Sequence, residues 1–162
     1  MTRILVTLLL LIASLSAQAG PKEETVFTLH TEQPIERVYP AVYRALEDAG
    51  FFVVFEADIG ASLARFAQRW GKDYNRNGLS AIRSMVFCNG GYANRVGNAD
   101  PRMLALCPLR MTLIEKDGRT TALFARPTAV ARSGPAHEVL KTVEKEVIDA
   151  IRKGMAQQAP DS

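Results

Sequence analysis

From Thr25 onward, apolar residues switch between consecutive or alternating runs and stripes three to four residues apart, and each switch marks an element. Thr25 to His30 carries the β-branched and aromatic residues of a strand. Ile35, Val38, Tyr39, Val42, Leu46 and Ala49 then recur at helical spacing, with Pro34 suited to the first turn and Gly50 to the stop. Pro40 lies inside that pattern and predicts a kink or a late start. Phe51 to Ala57 reads as a second strand, nearly all apolar. Asp58 can cap a short helix running to Trp70, on which Ile59, Leu63, Phe66, Ala67 and Trp70 share one side and are expected to be core. Gly71 to Gly78 is turn chemistry, and Leu79 to Ile82 is ambiguous, at most one helical turn.

The third strand enters a polar stretch at Met85 to Cys88, and the fourth leaves it over Leu106 to Glu115. Between them lie Gly- and Asn-rich residues that predict a long polar loop, a usual place for function. Lys116-Asp117-Gly118 is a hairpin turn and Arg119 to Arg126 the fifth strand. Thr128 to Gly134 connects to a last helix, Pro135 to Lys153, capped by Ser133 and ended by Gly154. Met155 to Ser162 reads as a loose tail. The order predicts an α+β fold: a largely antiparallel five-stranded sheet with helices packed on one face, plus one extra short helix.

Met1 to Ala19 does not belong to this pattern. Arg3, an apolar run from Ile4 to Ile12 and the ending Ala17-Gln18-Ala19 read as a secretory signal cut before Gly20. The run is shorter than the roughly 20 residues a membrane span needs. A periplasmic protein with one domain over 20–154 and no stable membrane anchor is expected. Removing the signal leaves about 143 residues, enough for a real core.

The formal net charge of +3 hides an asymmetry. Between Ala61 and Ile114 lie eight cations, seven of them arginine, against two carboxylates, Asp73 and Asp100. Arginine is favoured where planar, bidentate contact to carboxylate or phosphate matters, although pairing with the protein's own acidic helices accounts for these residues equally well. Export makes nucleic acid a poor partner, and no nucleic-acid motif is present.

Several motifs fit a known family. The strand ending Val86-Phe87-Cys88-Asn89 is followed by a Gly/Asn segment, then Asp100-Pro101, Met103-Leu104 and Ala105-Leu106-Cys107-Pro108-Leu109-Arg110, then a strand and an Asp-Gly hairpin. Together with Ala45-Leu46 and Gly50-Phe51 after the first helix, this resembles the domain of unknown function 302 family over roughly Val26 to Ile151. The resemblance implies a β-α-β(4)-α fold of the TATA-binding-protein-like class and a homodimer. It implies no activity. The chain departs from the family pattern at Cys88, where glycine is usual, at Gly90, where proline is usual, and at Cys107, in or beside the usual aspartate.

The two cysteines frame the polar stretch. If strands three and four pair antiparallel, Cys88 and Cys107 come together, and an oxidising compartment predicts a disulfide closing a loop of about 20 residues, worth about 3 kcal/mol. The alternative is a copper or haem site using Cys88, Cys107 and Met111, although the two histidines stand in no ligand spacing. No catalytic residue emerges: Asp100-Pro101 is turn chemistry, and no phosphate-binding loop follows a strand. The remaining reading is a binding module. Arg76, Arg83, Asn89, Tyr92, Asn94, Arg95 and Arg102 are expected to line a face for a small anionic or polar ligand, or for a periplasmic protein.

Overall fold

The computed structural model describes residues 24–157. The expected signal segment lies outside them, as does all but the beginning of the expected tail. Five strands form one sheet: β1 (Val26–Thr31), β2 (Phe52–Asp58), β3 (Ala81–Cys88), β4 (Leu109–Lys116) and β5 (Arg119–Ala125). Their order is β1-β5-β4-β3-β2, and every neighbouring pair is antiparallel. The hairpin joining β4 to β5 turns on Asp117 and Gly118, both at positive φ (53° and 73°), the conformation that favours Asp-Gly in a two-residue turn.

Two helices, α1 (Ile35–Asp48) and α5 (His137–Ala156), cover one face of the sheet. Phe27, Met85, Phe87, Met111, Leu113, Ala122 and Phe124 point into that layer and meet Val38, Val42, Leu46, Val147 and Ile151. α1 starts at Ile35 and runs through Pro40, which is exposed, so the proline does not delay the helix. Gly154 does not end α5. A Cβ there would lie 2.5 Å from the Cα of Val42, so glycine allows α1 and α5 to cross closely. Met155, expected in the tail, is buried within α5.

The expected helix up to Trp70 is broken into α2 (Ile59–Ala64) and α3 (Ala67–Trp70), followed by a 3-10 turn over Gly71–Asp73. Its apolar stripe is not core: Trp70 is 41% exposed and stacks on Phe66 at 5.2 Å between ring centroids. The segment between Cys88 and β4 also differs from expectation. It is not a loop but α4 (Gly90–Ala99) and a 3-10 helix over Pro101–Leu106. Asn89 caps α4 by accepting a hydrogen bond from the Tyr92 amide at 3.0 Å, and Asp100 caps the 3-10 turn by accepting one from the Arg102 amide. Buried Val96 packs with Leu140 of α5, and the half-buried Met103 and Leu106 join them.

Candidate functional site

β3 is the axis along which the candidate residues divide. Its eight residues set its two ends about 23 Å apart. One end opens into a cleft, and the other is closed by α4.

The cleft has a volume of about 780 Å³ and lies between the start of β3 and the excursion from β2 to β3. α2 is placed by Asp58, whose Oδ1 accepts from the Ala61 amide at 2.7 Å, and Gly60 lies against the backbone of Ile82. Leu63, Trp70 and Ile82 give the cleft an apolar wall, while Asp73, Tyr74, Asn75, Arg76, Asn77 and Ser80 add polar groups. Asn75 shapes the rim: at φ 44° its Oδ1 accepts from the Leu79 amide (2.9 Å) and its Nδ2 donates to the Leu79 carbonyl (2.8 Å). Glu115 joins this rim to α1, accepting from the Ser80 hydroxyl (2.7 Å) and the Ile35 amide (2.6 Å). Those two bonds, the amide's above all, hold its carboxyl below the usual range.

Arg83 reaches the cleft already engaged. Its guanidinium lies 3.6 Å from the centroid of the Tyr39 ring, and its Nη1 is 3.9 Å from Glu36. Tyr39 in turn donates its hydroxyl to Glu56 at 2.5 Å. Burial first, and then the hydrogen bond to Glu56, raise the Tyr39 hydroxyl above its ordinary value. Arg76, by contrast, is exposed on the cleft wall.

At the other end of β3 the expected ligand residues are largely committed to the fold. Asn89 also donates from Nδ2 to the Gly50 carbonyl at 3.0 Å. Tyr92 stacks on Phe51 with ring centroids 6.0 Å apart and donates to Glu146 at 2.6 Å, a bond that raises its hydroxyl from the ordinary value. Arg95 lies over the Tyr92 ring at 5.2 Å. Arg102 grips Asp100 through two parallel bonds of 3.2 and 3.1 Å, which hold the Asp100 carboxyl below the usual range. Asn94 is exposed. The seven residues expected on one face thus fall into two groups, with Arg76 and Arg83 at the cleft and Asn89, Tyr92, Asn94, Arg95 and Arg102 on or beside α4. Trp70, Asp73 and Ile82, which the expected face did not include, line the cleft. The turn-forming run from Gly71 to Gly78, just after an apolar stripe, was the signal for it.

The cysteine pairing needs a correction. Cys88 and Cys107 are free thiols and are not at disulfide distance. The β3–β4 ladder ends at Phe87 and Leu109, so Cys107 lies outside β4, at the end of the 3-10 helix. Strand pairing therefore does not hold Cys107 beside Cys88, and a disulfide requires a specific separation and alignment. Both cysteines nevertheless line one apolar cavity of about 20 Å³ beneath α4. Burial, and then the neighbouring Cys88, push the Cys107 thiol up. That cavity leaves no room for a haem. Met111 does not reach it, lying instead in the main core beside its register partner Met85.

These features define an α+β protein with a five-stranded antiparallel sheet, two helices on one face and a cleft at one end of the central strands. The chain belongs to the DUF302 family, a domain of unknown function whose family model matches residues 27–157. It is similar in fold to an uncharacterized conserved DUF302 protein from Bacillus stearothermophilus, with 17% identity and a TM-score of 0.67, covering 80% of this chain and 97% of that one. No curated protein matches it.

Proposed function

We propose that this is an exported, periplasmic binding protein that holds a small polar or anionic ligand in the cleft beside Trp70. One observation carries the reading: a cleft of about 780 Å³ that joins an apolar wall to an exposed arginine, Arg76. That volume falls in the range of small-molecule sites, which pair an apolar lining with a few polar anchors. Trp70 is the only tryptophan, so its fluorescence reports on this cleft alone. Titrating the protein with a panel of small anionic and polar solutes is expected to shift that emission for at least one of them. Arg76→Glu abolishes the response without changing the fold. A response that survives Arg76→Glu removes the cleft arginine from the reading, and a panel that leaves the emission unmoved removes the cleft.

The second sheet face supports the homodimer. α1 and α5 cover only one side, so Val86, Ile114 and Leu123, on the other side, stay half-buried with neither α1 nor α5 above them among the described residues. Phe52 and Phe55 on the edge strand β2 are 60% and 62% exposed. Five strands of this length present about 550 Å² per chain, so two copies face to face bury about 1,100 Å², the lower end of a specific interface. Sedimentation equilibrium is expected to return a dimer, and Leu123→Lys a monomer. A monomeric parent chain at micromolar concentration removes this part of the proposal.

A further inference from the structure

The small cavity beneath α4 has chemistry of its own. Phe51, Phe87 and Leu109 wall it from the sheet side and Tyr92 and Val96 from α4, and Cys88 and Cys107 complete its lining. Its volume of about 20 Å³ is the space of a single small occupant. Hard cations take six or more oxygen ligands, and zinc takes four nitrogen, sulfur or oxygen ligands. Neither set exists: among the described residues no group of three or more His, Cys, Asp and Glu side chains could hold an ion. Two thiolates without further donors suit a soft monovalent ion, for which two sulfur ligands suffice.

We infer that Cys88 and Cys107 form a two-coordinate site for a soft monovalent cation, Cu(I), in the apolar cavity beneath α4. On binding, two S–H bonds break, two Cu–S bonds form and two protons pass to solvent, with no change of oxidation state. The group so formed carries one negative charge. α4 begins two residues after Cys88, and its amino-terminal end offers the positive pole of the helix dipole to that charge. The fold that prevents a disulfide also favours the metal. Cys88 ends β3 and Cys107 follows the 3-10 helix, so the two are not at disulfide distance while both line one space. Apolar walls shield the bound ion from water and from competing oxygen ligands. The site is independent of the cleft, which lies at the far end of β3.

The test uses the whole exported chain, reduced and kept free of oxygen, titrated with Cu(I) against a chromophoric Cu(I) chelator. The expected result is one tightly held Cu(I) per chain, lost in Cys88→Ser and in Cys107→Ser and unchanged in Met111→Leu. Circular dichroism checks that each variant is folded. If a serine variant does not fold, Cys88→Ala and Cys107→Ala take its place, since a methyl group suits the apolar walls. X-ray absorption of the loaded protein should show sulfur neighbours only. Oxygen or nitrogen neighbours, one metal per two chains, uptake that survives loss of either thiol, or native protein whose thiols are already oxidised and take no metal would each overturn the assignment.

Discussion

The two ends of β3 use similar residues to opposite purpose. At the Cys88 end, most of the polar side chains expected to bind a ligand are already engaged by the fold. Asn89 bonds the backbone on both sides of its amide, Tyr92 stacks on Phe51 and bonds Glu146, and Arg102 is held by Asp100. At the Ala81 end, Trp70 and Arg76 border open space. An arginine or an asparagine therefore says little about binding until its partners are known. The closed end shows polar residues building a seat for a helix, and the open end shows a surface that the fold leaves unfinished.

The largest test of this contrast removes an aromatic from each end. Phe51 is fully buried between Phe87 and Tyr92, so Phe51→Ala is expected to cost about 3–5 kcal/mol of stability in a denaturant melt. Trp70→Ala, the loss of a larger ring, should cost less, about 1–2 kcal/mol, because that residue is 41% exposed. Equal losses at the two sites would erase the distinction. Asn89→Ala comes next, at about 1–2 kcal/mol, since it strips the cap of α4 and the bond to Gly50 together. If Asn89 served a ligand instead, the same substitution would leave the melt unmoved and change only binding.

The smallest effect concerns pH. The Glu115 carboxyl is held below its ordinary value by the Ile35 amide and the Ser80 hydroxyl. A depressed folded value means the unfolded chain binds the proton more readily, so this stability is present above the unfolded value and is lost as pH falls through the folded one. Melting temperature followed from pH 6 downward should therefore fall less steeply in Glu115→Gln than in the parent chain. Parallel curves would show that Glu115 does not tie the cleft rim to α1.

Much of this architecture was legible in residue order. Helical spacing from Ile35 to Ala49, the Asp117-Gly118 turn and the β-rich runs at Phe51 and Met85 placed four elements within a few residues, because each reflects which side of a backbone must face the core. α4 was missed for a physical reason. Gly90 and Gly91 in its first turn mask the stripe Tyr92, Val96, Ala99, although Asn89 and the Asp100-Pro101 pair are capping signals at its two ends. The stripe ending in Trp70 misled in the other direction. Amphipathic spacing says that a side is apolar, not that anything lies against it.

The chain order alone thus determined the strands, the main helices, the tight hairpin and the family, all of which follow from local backbone preference and from the alternation of apolar positions. Only the tertiary structure decided which arginines are held by partners, that Cys88 and Cys107 line one cavity without lying at disulfide distance, and that Trp70 borders a cleft. Those outcomes depend on strand register and on contacts between residues far apart in the chain, and local spacing carries no record of either.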